Sequence, residues 1–498
     1  MTRRRLLGNA TSAAVQTVTS AFLLFFLYRY LLQELGAQQL GVWSVVLASV
    51  SIGRLTDMGF AGTALKFVAT ALGEGEPERA GRLLQTASYS IAMIMLCALA
   101  LALPAIEIVL DWALPSEAIK DAEMILPLAL TSLLFTLIAG VFQSGVDACH
   151  RMYLKNLLLI AGNVLMIALA LLLVPHRGLM GIAIAQCIQA AFLMLGSWLI
   201  LRRLLPTLPW LPAHWRYSEF REMVGYATNF QLGMVAGLLF EPLTKILLAR
   251  FGDLSVTAYF DMANQLVQKA KAVITSAQQA LVPELATIRE ENKTDREALF
   301  MQAYGVSFVL VVPYFMGLML SFPLVSWLWI GHFQADFILF GSLMSAGWMI
   351  ASLSAVSYFY NQATAQLIWN TLNHVATGAL NFLLGFFIGT HFGGAGVVLA
   401  AMVSIAVPNI LLNLLVFNRL GLGLRQTVPG TFSKTLLMIT ATAVGSGAAG
   451  HALGWFAGGA LSSAAVVFLF AIALLGIFFS DPRGRGALSR LSVKGVRL

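Results

Sequence analysis

The sequence predicts an all-α integral membrane fold of about fourteen transmembrane helices. Twelve of them form two parallel six-helix repeats, an N and a C lobe around a central cavity, and two more follow at the C-terminal end. Three observations predict this: the composition, an alternation of basic loops and a weak internal repeat. Of 498 residues, 59% are hydrophobic and only 11% charged, with a mean hydropathy of +0.81. Soluble domains carry roughly 25% charged residues, so the chain falls in the membrane class before any motif is read. A span needs about 20 apolar residues. Fourteen runs qualify, near 6–32, 41–69, 83–110, 124–146, 153–174, 179–201, 223–249, 254–285, 299–327, 337–360, 367–390, 394–417, 432–451 and 455–479.

Lys and Arg set the orientation because cytoplasmic loops are enriched in them. Alternate connections and the two ends of the chain hold 22 basic residues, among them Arg3, Arg79, Arg151, Arg202, Arg289, Arg419 and Arg483. The opposite connections hold three, Lys120, Arg177 and Arg250. Such alternation supports an even number of spans with both termini cytoplasmic. It also accounts for the net charge of +8 without nucleic acid, since the basic residues border a membrane and form no single patch. The opening MTRRRLLGNA could begin a signal peptide, but the apolar run behind it is long and is read as an uncleaved first span.

The repeat appears at a near-constant offset. Gly8-Asn9-Ala10-Thr11-Ser12 recurs as Gly225-Tyr226-Ala227-Thr228-Asn229, 217 residues on. Leu35-Gly36 with Val42-Trp43 recurs at 216 as Phe251-Gly252 with Ala258-Tyr259, and RGLMGIAIA (177–185) resembles FGGAGVVLA (392–400) at 215. Six spans per repeat is an even number, so both halves enter the membrane in the same sense, with the substrate path between them. The expected domains are an N lobe (1–205), a cytoplasmic linker (206–222), a C lobe (223–418), helices thirteen and fourteen (419–480) and a basic tail (481–498). No connection is long enough to be a folded domain, and the segment 202–222, with three prolines and an aromatic-basic mix, reads as an extended or amphipathic linker.

A charge at the centre of a span costs about 2.5 to 3.5 kcal/mol on insertion scales, so the charges inside the runs are the candidate site. The basic ones are Arg29, Arg54, Lys66, Lys245, Lys269 and Lys271; the acids in or near the spans are Asp57, Glu107, Asp147, Glu241 and Asp261. At the repeat offset of 216, Arg29 pairs with Lys245, and Arg54 maps between Lys269 and Lys271. Corresponding depths in both halves therefore carry cations, and a cavity they lined would suit an anion, with guanidinium groups gripping phosphate oxygens bidentately. The competing reading is mutual neutralisation: Arg54 and Asp57 are spaced i, i+3, and Glu241 and Lys245 i, i+4, both of which bring side chains together on a helix. Asp57, Glu241 and Asp261 thus stand as ion-pair partners or as a site for a coupling ion. Lys66 is expected to snorkel to the interface.

Span eight is polar along its length, and Asn or Gln recurs at Gln16, Asn163, Gln189, Asn370, Asn373 and Asn381. Contacts with sugar hydroxyls and hydrogen bonds between helices explain such residues equally well. His374 reads as a structural histidine, and Cys97, Cys149 and Cys187, which lack ligand spacing, as packing residues. Gly445–Gly450 matches GxGxxG but lies inside a span, where small residues serve helix packing. No Walker A, HExxH or GxSxG motif occurs, and no cofactor, metal or ATP-hydrolysing module is expected.

Residues 34–69 (ELGAQQLGVWSVVLASVSIGRLTDMGFAGTALKFVA) resemble the first helical hairpin of polysaccharide flippases in the multidrug/oligosaccharidyl-lipid/polysaccharide exporter superfamily. The matching features are Leu35-Gly36, then Gly41-x-Trp43, then Asp57-x-Gly59; ALVPELA (280–286) and the turn 393–396 are similar to that family's second half. The resemblance implies a V of two six-helix lobes with alternating access. It implies a polyprenyl-diphosphate-linked oligosaccharide as substrate, moved to the periplasmic leaflet, with Arg54, Arg29, Lys269, Lys271 and Lys245 as diphosphate ligands. Membrane lipid, a glycan polymerase and other biosynthesis proteins are the implied partners. A drug/cation antiporter of the same superfamily is the alternative, disfavoured by the two extra spans and the excess of cations. A membrane-embedded glycan polymerase or ligase, a third reading, would need a reaction site and a larger outside loop than any here; the protein is not expected to be an enzyme.

Overall fold

The computed structural model describes residues 3–57, 59–210, 212, 214–279, 293–364, 366–423, 430–456 and 458–480, and among them every regular element is helical. Where its residues are described, each of the fourteen apolar runs is mainly helical. Among the described residues seven stretches are long and apolar enough to cross a bilayer, and three of them hold more than one run: α1 (Arg3–Ser51), α5 (Met152–Leu204) and the helix Leu367–Leu420. A straight helix of the 53 residues of α5 would be about 80 Å long at 1.5 Å per residue, far more than the ~30 Å hydrocarbon core. A single glycine with positive φ interrupts each, Gly36 at 76°, Gly178 at 52° and Gly393 at 61°.

The latter two breaks are tight reversals, and they are alike. A Cβ placed on Gly181 would stand 2.6 Å from the carbonyl oxygen of Leu173, and one on Gly396 2.7 Å from that of Ile388. Eight residues apart in a straight helix those atoms would be about 12 Å apart, so the chain has doubled back. Leu173 and Ile388 differ by 215, the same offset as Gly178 and Gly393. The repeat read from two weakly similar strings is thus built into backbone geometry. Gly178→Ala and Gly393→Ala are each expected to cost about 1–3 kcal/mol, because ψ values of −131° and −149° at positive φ are close to a glycine-only region. Thermal melting in detergent checks this, with Gly62→Ala, which faces open space, as the unaffected control.

Between the long helices lie α2 (Phe60–Gly73), α3 (Pro77–Ala113) and α4 (Ser116–Ala148). After α5 come α6 (Tyr217–Leu238), α7 (Phe240–Phe251), α8 (Leu254–Gln279), α9 (Lys293–Trp329), α10 (Ala335–Leu353) and α11 (Ala355–Ala363). The third doubled helix is α12, followed by α13 (Gly430–Ala452) and α14 (Ala460–Ser480). Three spans are broken in mid-course. The second passes through a 3-10 turn, Ile52–Asp57, and the left-handed Gly59 before α2 resumes. Leu239 divides the seventh into α6 and α7, with Pro242, which lacks an N–H, in the first turn of α7. The tenth breaks at Ser354, whose hydroxyl donates to the Ile350 carbonyl at 3.1 Å.

The chain forms two compact units, Met1–Ala258 and Tyr259–Leu498. The repeat would group span seven with those that follow it; in the structure α6 packs on α2 and α3, and α7 on α1 and α3. Helices in lipid gain little from hydrophobic burial and hold together by close approach at small residues. In the first unit the two arms of α5 do so reciprocally: Cβ positions on Gly162 and Gly196 would lie 2.7 Å from Leu193 and 2.6 Å from Leu158. The second unit has an aromatic cluster of Phe300, Tyr304, Tyr360 and Phe417, with ring centroids 5.2–6.1 Å apart.

The segment between α5 and α6 is not a free tether. Its Trp210 carbonyl accepts from Trp198 Nε1 at 3.0 Å, Gln85 Oε1 accepts from the His214 N–H at 3.2 Å, and Trp215 Nε1 donates to Ser90 at 3.0 Å. Tyr89 donates to the Pro212 carbonyl. At the start of α6, Glu219 accepts from Thr86 at 2.7 Å and from Arg82 at 3.4 Å, with His214 Nε2 3.3 Å away. These bonds tie the chain entering α6 to α3 and explain why span seven packs with the first unit.

Candidate functional site

Arg54 lies in the 3-10 turn that interrupts span two. Its neighbour Gly53 lets the turn sit against α3 and α4, where a Cβ would meet Leu133 at 2.9 Å and Met95 at 3.0 Å. The turn is therefore clamped on one side while the Arg54 side chain is exposed. No described carboxylate lies within ion-pair distance of it; the side chain of Asp57 falls outside the described ones. Arg29 on α1 is exposed, and Lys66 on α2 is exposed with its ammonium 5.6 Å from the Phe67 ring.

Lys245 differs. It is 6% exposed on α7, and its ammonium sits 2.8 Å from Glu241 one turn earlier. The i, i+4 spacing is realised as an ion pair, so this cation already has an anion. Lys155 and Asp147 make a second pair across the α4–α5 turn.

In the second unit the candidates lie on α8. Asp261 is buried, at 2% exposure, while Lys269 and Lys271 are partly buried. Neither lysine has a described carboxylate within ion-pair distance. The Lys271 ammonium instead lies 3.3 Å from the centroid of the Trp348 ring on α10, in the range where a cation is held by an aromatic face. Tyr314 on α9 donates to the Ala270 carbonyl at 3.1 Å and so fixes α8 one residue before Lys271. Trp348 belongs to an apolar cluster with Ile274, Val311, Phe315 and Tyr314. His374 stands against Tyr358, ring centroids 5.8 Å apart. Trp348 and Tyr314 carry no mark in the sequence: each is an aromatic in an apolar run, remote in number from Lys271.

The amides of the spans are used largely between helices. In the first unit Asn163 donates to Ser20 at 2.8 Å and accepts from Gln189 at 3.0 Å, and Asn156 donates to Ser12 at 3.0 Å. In the second, Asn361 donates to Asn370 at 3.1 Å and Asn370 to the Tyr358 carbonyl at 3.0 Å. Ser354 donates to Asn409 at 3.2 Å and Ser357 to Asn413 at 2.6 Å. For these residues hydrogen bonding between helices is the use the fold makes of them.

A family profile described as "Polysaccharide biosynthesis protein" matches residues 6–289, more than half of the chain. The chain belongs to this family. A search of curated proteins finds no significant match. Among solved structures, this polysaccharide biosynthesis family member is similar to the lipid II flippase MurJ in an inward closed conformation, with a TM-score of 0.73 at 12% identity over 94% of this chain and 97% of that one. An inward-facing multidrug resistance MATE family transporter of the MOP superfamily gives 0.57 at 16% identity over 82% and 94%. The Vibrio cholerae MATE transporter VcmN gives 0.56 at 15% over 83% and 98%. At such identities the likeness carries the fold: this family member is a multi-pass membrane protein with the all-α fold of MOP superfamily transporters.

Proposed function

We propose that the protein is a flippase for a polyprenyl-diphosphate-linked oligosaccharide. It moves a repeat unit of an O-antigen, exopolysaccharide or related glycan from the cytoplasmic to the periplasmic leaflet of a bacterial inner membrane by alternating access, with both termini cytoplasmic. The observation that carries this reading is the pair of equivalent cationic positions, Arg54 in one half and Lys269/Lys271 in the other, with no described carboxylate within ion-pair distance of either. A cation kept in a membrane span without an internal anion is expensive. A diphosphate supplies the missing charge and, through bidentate hydrogen bonds, the geometry. Arg29 in span one and Lys245, which Glu241 holds, are the further cations proposed for the diphosphate.

The antiporter alternative needs acids free to meet cationic substrates, whereas Glu241 and Asp147 are both engaged with lysines. Asp261, buried on α8 and about 15 Å along the helix from Lys271, is the group assigned to a coupling ion, with Asp57 as a second. A glycan polymerase and other biosynthesis proteins would receive the flipped product. The test is reconstitution: proteoliposomes carrying a fluorescent lipid-linked oligosaccharide should expose it to an impermeant quencher only when the protein is present, and should accumulate no cationic dye down an imposed ion gradient. Dye uptake without lipid movement would select the antiporter.

A further inference from the structure

We infer that Trp348 is a positioning residue: it seats the Lys271 ammonium in the empty transporter and competes with substrate for it. The inference rests on the flippase reading of Lys271 and goes beyond it. Both halves of the contact are fixed in place. Tyr314 pins the turn of α8 that carries Lys271 through its 3.1 Å bond to Ala270. Trp348 is set by Gly347, whose missing Cβ brings α10 against the α12 backbone, with Met402 atoms 3.3–3.4 Å from where that Cβ would be. The 3.3 Å contact between ammonium and ring is therefore a built pairing of two anchored helices.

The choice of partner matters for transport. Lys245 has a carboxylate at 2.8 Å, and a phosphate approaching it must displace an anion. An indole face satisfies an ammonium through its quadrupole without carrying net charge, so Lys271 remains available to an incoming diphosphate. A desolvated cation–π contact and a charge-assisted hydrogen bond are of similar strength. The ammonium can therefore pass to a phosphate oxygen on loading and return to the ring on unloading. Without the ring, Lys271 has only the phosphate to go to, and substrate is held too long. A group that weakens the bound state relative to the empty one serves turnover, since binding that is merely tight does not speed passage.

The test uses the full-length protein in nanodiscs titrated with geranylgeranyl diphosphate, with geranylgeranyl monophosphate as control. Trp348→Leu should tighten diphosphate binding about tenfold, the equivalent of one cation–π contact, while slowing flipping in proteoliposomes. Trp348→Phe, which keeps a weaker aromatic face, should fall between. Diphosphate should also change tryptophan emission in the wild type, and this change should vanish in Trp348→Phe and in Lys271→Gln. Equal or weaker binding by Trp348→Leu overturns the inference; should that variant not fold, failure of Trp348→Phe to tighten binding does the same. Failure of the underlying reading looks different: Lys271→Gln would then bind diphosphate as well as the wild type does.

Discussion

Arg54→Ala is expected to abolish surface polysaccharide in a strain that depends on this protein, with protein level and membrane insertion unchanged. The expectation of intact folding rests on exposure: Arg54 projects from a clamped turn and pairs with no described carboxylate, and surface replacements of that kind usually stay within about 0.5 kcal/mol. The expectation of lost transport rests on the chemistry. Two charge-assisted hydrogen bonds to a phosphate, each about 1.5–3 kcal/mol, amount to a factor of roughly a hundred or more in binding. Arg54→Lys should recover part of the activity, because it returns the charge without the planar fork. Normal polysaccharide from Arg54→Ala would remove this residue from the substrate path and with it the cationic site in the first half.

The second large effect is on stability. Gly41→Ala should lower stability by about 3 kcal/mol or more and reduce the yield of monodisperse protein. A Cβ at this position would stand 1.9 Å from the carbonyl oxygen of Leu254, 2.6 Å from its carbon and 2.9 Å from its Cα. Those are backbone atoms at the first turn of α8, already committed to helical geometry, so no rotamer change relieves the clash and overpacking takes its full cost. Gly41 is also the glycine of the Gly41-x-Trp43 feature that resembles polysaccharide flippases, and the close approach gives that feature a physical cause. A melting temperature within a degree of wild type would show that the helices separate without penalty.

Much of the fold was legible because a bilayer reduces the problem to one dimension: apolar length and loop charge locate the crossings. The reversals at Gly178 and Gly393 were legible for a second reason, since each requires a backbone only glycine adopts readily. Glu241 and Lys245 could be paired from their spacing alone. Arg54 lies in span two, but the 3-10 turn around it leaves no clear mark in the sequence, because GRLTDMG holds no proline and glycines also occur inside membrane helices. The docked linker escaped for a related reason: it is held through its own backbone groups and by residues such as Gln85 and Ser90, more than a hundred positions away. Trp348 reaches Lys271 across a packing arrangement that no local pattern encodes.

The breaks in spans two, seven and ten and the reversals at Gly178 and Gly393 divide the molecule into stiff and compliant parts. Each hairpin whose glycine lies against its own carbonyl is a strut with no slack; pushing on one arm moves both. Bending is expected to concentrate at the irregular backbone of Ile52–Asp57, Leu239 and Ser354. Arg54 rides on one of these joints, and Glu241 with Lys245 sits just beyond another. A bend at either joint would re-aim the charge it carries.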